Sequence, residues 1–281
     1  MAARRHSMEL RTRQSALGLA AALLLCGAAA CSISEDREIA IGRANAERID
    51  AKMPLVTDSV VAAYVQALGT RLASRTSRAE LPWRFAVVDT KEVNAFALPG
   101  GFVYVNRGLI EHTEHMDELA GALGHEIGHV VRRHSVRQLE RSGGTRLGIA
   151  VLCGLTSICD SRTARVAIDL SGAAWLARYS RAAEAEADSE AVANTVRAGI
   201  SPEGVPAMFQ ALLSMRQREP GLVQTFFGSH PVEEARIAQT QQLVDRVDPA
   251  IRNGLARDDA EFQAMKIRLG RGALDAGREE R

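Results

Sequence analysis

The apolar positions between residues 117 and 133 recur with the spacing of an α-helix. They form one stripe, which consists of Leu119, Leu123, Ile127, Val130 and Val131. Acidic residues stand near the start of the segment and arginines near its end, which suits the helix dipole. Glycines at positions 121, 124 and 128 are poor helix formers, so they indicate either close packing or room for a substrate.

Ahead of this helix the pattern is that of β-strands. Val93–Leu98 and Phe102–Val105 are rich in strand-forming residues, and Pro99-Gly100-Gly101 between them is typical of a turn. Trp83–Asp89 alternates apolar with other positions, so it is predicted to be another strand of the same sheet.

After the first helix in the sequence, Tyr179–Asn194 is predicted to form a second helix, in which alanines alternate with acidic residues. Residues 249–281 are charged and broken by glycines, which indicates a terminal helix followed by a flexible tail. Without its first 30 residues the 281-residue chain keeps about 250, enough for one sizeable domain with short appendages.

The first helix contains the motif His125-Glu126-Ile127-Gly128-His129. Histidines four residues apart lie about 40° apart around a helix axis and one turn apart along it, so both rings can reach one metal ion. Glu126 lies to the side, close enough to touch a water at the metal without being a ligand. Two ligands and a general base are what a zinc peptidase needs. The alternative is two helical histidines that share a face by chance.

A catalytic zinc also needs a third protein ligand and an open position. The metzincin spacing would require a histidine where the chain has Ser135, and a continued helix would point His134 about 180° away from His125. His134 is therefore predicted to be a packing or surface residue. A glutamate from the second helix remains, and Glu184 is predicted to be the third ligand.

Asp188 follows Glu184 by four residues and shares its helix face. It is placed to accept a hydrogen bond from a zinc-binding histidine, which would hold that ring in one orientation. Glu186 is predicted to face elsewhere. The alternative is that this alanine-rich acidic segment is simply a solvated helix face.

These motifs resemble peptidase family M48, gluzincins related to the CAAX prenyl protease and to a periplasmic β-barrel assembly-enhancing protease. The resemblance rests on the HEIGH motif and on the segment from Ser180 to Asp188. Three further segments match the family: Glu38–Arg43, Asn94–Val105, and Ser229-His230-Pro231 followed by Arg236-Ile237. Together the matching segments cover roughly residues 35–245.

The resemblance implies an α+β zincin-like metallopeptidase domain, mostly helical, with a small sheet beside the HExxH helix. One Zn²⁺ per chain would be held by His125, His129 and Glu184. The family also implies that a substrate adds as an extra strand along Asn94, Ala95 and Phe96. An ordinary buried hairpin is the equal alternative for that segment.

The predicted roles of His230 and Arg236, near the C-terminal end of the matching region, come from the family resemblance alone. His230 would donate a hydrogen bond to the developing oxyanion, or would swing onto the zinc and gate activity. The alternative is a turn histidine ahead of Pro231. Arg236 would support the metal site together with Asp188.

The N-terminus has the pattern of an export signal over residues 1–30. Four arginines precede an apolar run from Ala16 to Ala30 that is too short to span a bilayer comfortably. Cleavage after Ala30 would leave Cys31 first, where bacterial lipoproteins carry their lipid, although Ala28 is an imperfect match to the lipobox. Simple secretion and an uncleaved anchor are the alternatives. The expected location is the periplasm, with a lipid anchor in the outer membrane.

Two further cysteines, Cys153 and Cys159, would remain in the mature chain. In an oxidising compartment they are expected to form a disulfide. The alternative is that they are two small buried residues of the apolar run from Leu147 to Cys159.

Composition narrows the function further. The 35 basic and 34 acidic residues leave a formal charge of +1, and no basic tract with interleaved aromatics follows the N-terminal segment, so nucleic acid is not an expected partner. Residues 31–248 are expected to form a zinc endopeptidase domain that hydrolyses misfolded or damaged envelope proteins, with Glu126 as general base. Outer-membrane β-barrel proteins or their assembly machinery are the expected partners. The rival is a periplasmic chaperone or assembly factor with a structural or latent zinc site.

Overall fold

The computed structural model describes residues 32–140 and 179–279, and it begins with two capped helices. Helix α1 spans Glu35–Asp50, and the Ser34 side chain accepts a hydrogen bond from the Arg37 backbone N–H at its start. Helix α2 spans Ser59–Ala73 and is capped by Asp58 in the same way. The predicted signal segment, Cys31, Cys153 and Cys159 lie outside the described residues.

A three-stranded sheet follows, with strands in the order β1-β3-β2. Strand β1 (Arg84–Val88) runs parallel to β3 (Phe102–Asn106), whereas β2 (Ala95–Leu98) runs antiparallel to β3. The turn between β2 and β3 contains Gly100 at φ 76° and Gly101 at φ 98°. Residues other than glycine rarely adopt these backbone conformations. The predicted hairpin and third strand are confirmed.

The sheet leads into the central helix of the domain. After the short helix α3 (Arg107–His112), α4 spans Met116–Val131, and its residues 116–130 are all buried. The predicted helix over 117–133 is thus confirmed within two residues at its end. Residues 134–140 form a further helical segment after a turn in which Arg133 has φ 55°.

Helix α5 spans Arg181–Arg197 and packs against α4 along much of its length. A Cβ atom on Gly124 would lie 3.3 Å from the Ala191 Cα atom, and one on Gly128 would lie 2.9 Å from the Ala187 carbonyl oxygen. These two glycines therefore serve close packing, which decides between the two interpretations of the sequence.

The remaining helices complete the core around this pair. They are α6 (Gly204–Arg218), α7 (Pro220–Ser229), α8 (Glu234–Asp245), α9 (Pro249–Arg252) and α10 (Ala260–Glu279). Phe262, Met265 and Leu269 of α10 are buried in the main hydrophobic core. The C-terminal helix was expected; it packs into the main hydrophobic core and continues to Glu279.

The architecture confirms the predicted fold class, which is mostly helical with a small sheet beside the HExxH helix. Strand β2 is the sheet strand that packs most extensively against α4. Within residues 32–140 and 179–279, none of the helices has the length and hydrophobicity needed to cross a membrane.

Candidate metal centre

Four buried side chains from three helices converge near the middle of α4. His125 and His129 come from α4, Glu184 comes from the first turn of α5, and His230 follows the last residue of α7. One nitrogen or oxygen atom from each lies within 4.8 Å of the other three, so together they could hold a metal ion. The predicted ligands are therefore brought together, and His230 joins them.

The spacing and chemistry of these donors fit zinc. Ligand atoms about 2.0–2.1 Å from a tetrahedral zinc lie roughly 3.3 Å from each other. The His125 Nε2 atom lies 3.0 Å from His129 Nε2 and 3.3 Å from His230 Nδ1. Glu184 oxygens lie 3.5 Å from the Nε2 atoms of both α4 histidines and 3.2 Å from His230 Nδ1. Three imidazoles and a carboxylate form a donor set that zinc prefers.

Glu126 is buried beside this group, with a relative exposure of 2%. Its Oε1 atom lies 3.5 Å from His230 Nε2. Burial raises the pKa of Glu126, and the charges of His230 and His125 counter that rise only in part. A carboxylate whose pKa is raised in this way is suited to accept and release a proton during a reaction.

Asp188 and Arg236 hold the first histidine in place. Asp188 Oδ1 lies 2.9 Å from His125 Nδ1, as the helix spacing predicted. Arg236 donates from Nε and Nη2 to the two Asp188 oxygens at 2.7 Å each, and its Nη1 lies 2.6 Å from Glu184 Oε2. Its guanidinium also lies over the Phe209 ring at 4.3 Å, a contact that no feature of the sequence indicated.

These contacts set the charge states of the donors. Burial alone would lower the pKa of His125, but hydrogen bonds to Asp188 and Glu184 raise it to about 9. Burial and the neighbouring His125 hold the pKa of His129 well below its ordinary value. Burial acts upward on Glu184, yet His230 and His125 hold the pKa of that carboxyl well below its usual range. Glu184 is therefore ionised, as a metal ligand must be.

His134 was predicted to be a packing or surface residue that points away from His125; it is a packing residue, but the direction predicted for its side chain was wrong. His134 is buried, and its Nδ1 atom lies 2.9 Å from Nδ1 of His129. The prediction assumed that the helix continues, whereas the chain turns at Arg133 and brings the next side chain back against α4. Tyr179 also stacks on His129, with ring centroids 4.0 Å apart. No spacing rule in the sequence signals either contact.

The segment implied to bind substrate lies on the sheet edge. Ala95 and Phe96 belong to β2, which pairs on one side only, with β3, among the described strands. Asn94 directly precedes β2, and all three side chains are buried. The hairpin is thus buried in its side chains and also forms an edge of the described sheet.

Residues 59–244, more than half of the chain, match the family described as Peptidase family M48. The chain is 30% identical over 233 residues to a putative beta-barrel assembly-enhancing protease of Vibrio cholerae. The matched region covers 79% of this chain and 47% of that protein.

Two Escherichia coli proteins are similar as well. The chain is 26% identical over 261 residues to a beta-barrel assembly-enhancing protease, covering 90% of this chain and 52% of that protein. It is 31% identical over 166 residues to the metalloprotease YcaL, covering 59% of this chain and 63% of that protein. The chain thus spans about half the length of the assembly-enhancing proteases that it matches.

Proposed function

The chain belongs to peptidase family M48, a family of zinc-dependent metallopeptidases, and from this premise we propose that it is an endopeptidase of the bacterial cell envelope. Its substrates would be misfolded or damaged envelope proteins. The observation that carries this proposal is the buried Glu126 carboxylate beside the four-donor cluster. A zinc site that serves only structure needs no base, and burying an unneeded carboxylate is costly.

The proposed mechanism assigns a task to each side chain. Zinc held by His125, His129 and Glu184 would supply Lewis acidity, which acidifies water and polarises a carbonyl oxygen. Glu126 takes a proton from the attacking water at its carboxylate and passes it to the leaving amine. His230 lies 3.5 Å from Glu126 through its Nε2 atom, so a small movement of the ring would let it donate to the oxyanion.

Substrate binding is assigned to the edge of the sheet. A peptide that adds to β2 would be held by main-chain hydrogen bonds along Asn94, Ala95 and Phe96. Strand β2 packs against α4, so a peptide bound there would run close to the helix that carries His125 and Glu126. This mode accepts many sequences, because the hydrogen bonds involve only the backbone, and it suits an enzyme that acts on unfolded segments.

The location and partners are proposed from two independent lines. Relatives of this chain are named for enhancing β-barrel assembly, and the first 30 residues have the pattern of an export signal that is followed by Cys31. We assign the protein to the periplasm, anchored by lipid to the outer membrane, with outer-membrane β-barrel proteins or their assembly machinery as partners. The intact mass of the purified mature protein tests cleavage before Cys31, the lipid, and pairing of Cys153 with Cys159 in one measurement.

A second candidate is a chaperone or assembly factor whose zinc site is latent. The observation that favours it is the position of His230, whose Nδ1 atom lies 3.3 Å from His125 Nε2 and 3.2 Å from a Glu184 oxygen. In that position His230 completes a set of four protein donors, and a closed set holds zinc without a place for a reactant. Under the main proposal, His230 must move aside before a substrate reacts.

Casein cleavage by the wild type and three variants at equal zinc content separates the two candidates. The wild type should release fragments and Glu126→Gln should release none, while His230→Ala should cleave more slowly than the wild type because it lacks the donor to the oxyanion. Faster cleavage by His230→Ala would show instead that His230 blocks the site. Glu80→Gln, at an exposed position, is the matched control and should cleave as the wild type does. Equal cleavage by Glu126→Gln would refute the mechanism. If neither the wild type nor His230→Ala releases fragments while the wild type prevents aggregation of a β-barrel client, the chaperone role gains.

A further inference from the structure

The two zinc-binding histidines of α4 differ in what holds their outer nitrogens. His125 Nδ1 faces the Asp188 carboxylate at 2.9 Å. His129 Nδ1 instead faces another imidazole, with His134 Nδ1 at 2.9 Å. A zinc-binding histidine usually donates the N–H of its other ring nitrogen to a carboxylate, a carbonyl or water. An imidazole can accept this hydrogen bond only if the nitrogen that faces His129 carries no proton.

The proton positions follow from the geometry. A His129 ring that offers Nε2 to a metal carries its proton on Nδ1, because neutral imidazole has one donor and one acceptor nitrogen. His134 Nδ1 must then accept, which places the proton of His134 on Nε2. That nitrogen lies 3.3 Å from Glu186 Oε2, a carboxylate oxygen that can only accept. Each hydrogen bond in the series from His129 through His134 to Glu186 therefore has one donor and one acceptor.

The turn that places His134 is held by contacts with Glu38 of α1. Arg133, at φ 55°, donates from Nε to a Glu38 oxygen at 2.8 Å. Arg78 also binds Glu38 at 2.8 Å and donates to the Val130 carbonyl oxygen at 2.9 Å, near the end of α4. Glu38 is completely buried, so this anchor is shielded from solvent.

The ring of His129 is restrained on its face as well as on its edge. Tyr179 stacks on it at 4.0 Å between centroids, and the Tyr179 hydroxyl lies 2.8 Å from Ser135 Oγ, next to His134 in the chain. The segment after the turn thus contributes a hydrogen-bond acceptor for His129 and a polar contact for the ring that covers it.

We propose that His134 is a positioning residue for the zinc site: its Nδ1 accepts the Nδ1–H of His129, and its Nε2–H binds Glu186. The link keeps His129 in the tautomer and orientation that present Nε2 to the metal. It rests on the proposed zinc site but not on peptide hydrolysis, since its effect is on metal binding. The closest precedent in principle is the carboxylate–histidine–zinc arrangement, here with one imidazole inserted.

Two amide variants separate the inner contact from the outer one. In His134→Asn the amide oxygen can take the place of Nδ1, so the acceptor for His129 is kept. In His134→Gln the amide nitrogen can take the place of Nε2, so the contact with Glu186 is kept and the acceptor is lost. The zinc dissociation constant, measured by competition with a chelator and without any substrate, should rise by about 10- to 100-fold in His134→Gln and stay within about threefold in His134→Asn.

The controls keep the result independent of folding and of catalysis. His112→Asn and His112→Gln, at an exposed histidine, should bind zinc as the wild type does. Glu186→Ala changes a side chain that is 41% exposed, so the fold should tolerate it, and zinc binding should weaken about two- to fivefold because solvent screens this carboxylate. If the Asn and Gln variants at 134 bind zinc equally, or if Glu186→Ala binds as tightly as the wild type, the proposal is wrong. Absence of casein cleavage by the zinc-loaded wild type would count against the proposed function and would leave the difference in zinc affinity between the two variants at position 134 unaffected.

Discussion

Gly128 on α4 lies directly against Ala187 on α5, so closely that a Cβ atom on the glycine would come 2.9 Å from the Ala187 carbonyl oxygen. The crossing of these two helices brings Glu184, one turn before Ala187, to the two histidines of α4. The metal centre therefore depends on a residue that has no side chain.

Replacing this glycine should disturb both stability and metal binding. Gly128→Ala forces α5 outward by a few tenths of an ångström. Overpacking of this kind lowers the free energy of unfolding by about 1–3 kcal/mol. The higher helix propensity of alanine offsets about 1 kcal/mol of that loss. We expect a lower free energy of unfolding in urea and weaker zinc binding by chelator competition. Gly270→Ala in α10, where a Cβ atom would meet nothing within 4 Å, is the control and should not lose stability. Equal behaviour of the two variants would contradict the close-packing argument.

The Asp188 carboxylate is expected to contribute to zinc affinity through His125. Asp188→Asn keeps the shape of the side chain but removes the charge that faces His125 Nδ1 and Arg236. The loss of such a partner typically weakens metal binding about 10- to 100-fold. Zinc titration against a chelator measures the change, with Asp245→Asn at an exposed ion pair as the matched control. Wild-type affinity in Asp188→Asn would show that His125 needs no charged partner.

Among the residues of the ion pairs described above, Glu38 is expected to destabilise the domain most when it is replaced. It is fully buried and binds Arg78 and Arg133, while the Gly100 backbone N–H donates to it at 3.2 Å. Removing one partner of a buried pair costs about 3–5 kcal/mol, because the remaining charge, here that of Arg78 at 10% exposure, stays buried with only the exposed Glu35 as partner. Urea unfolding of Glu38→Ala measures this loss. Glu35→Ala, whose side chain is 61% exposed in its pair with Arg78, should change stability by less than about 1 kcal/mol.

Asp117 should make stability depend on pH. Its side chain is 1% exposed, its oxygens lack hydrogen-bond partners among the described residues, and Arg257 Nε lies 3.8 Å from Oδ2. Burial raises the pKa of Asp117 to about 6, although Arg257 acts to lower it. The folded protein therefore holds this proton more tightly than the unfolded chain, so stability falls as pH rises from about 4 to 6.

Asp117→Asn removes that dependence. A pKa difference of about two units corresponds to roughly 3 kcal/mol, so the variant should be more stable than the wild type by up to about this amount at pH 7. The advantage should shrink below pH 6 and vanish near pH 4, as measured by urea unfolding across that range. A constant difference at every pH would mean that the Asp117 carboxyl does not titrate in this window.

The convergence of the candidate metal ligands could be predicted in part because helix geometry is local. Four-residue spacing places His125 beside His129, and the same spacing places Asp188 beside Glu184, whatever surrounds them. The hairpin between β2 and β3 was predictable for the same reason, since the two glycines of its turn adopt positive φ angles that few other residues tolerate. The roles of His230 and Arg236 came only from likeness to a family, because both residues lie far from the motif in the chain.

The contact between His134 and His129 could not be predicted, since it depends on one reversed backbone angle at Arg133. That angle is held by Glu38, a residue 95 positions earlier. The burial of Phe262 in the core likewise depends on where α10 packs against α2.

The amino-acid sequence alone identified the candidate metal ligands and the candidate base on the two helices, because helical geometry follows from residues only a few positions apart. Only the tertiary structure decided which of these side chains meet and which neighbours hold them. Those contacts join residues far apart in the chain, and the packing of whole helices, rather than any local preference, sets their distances.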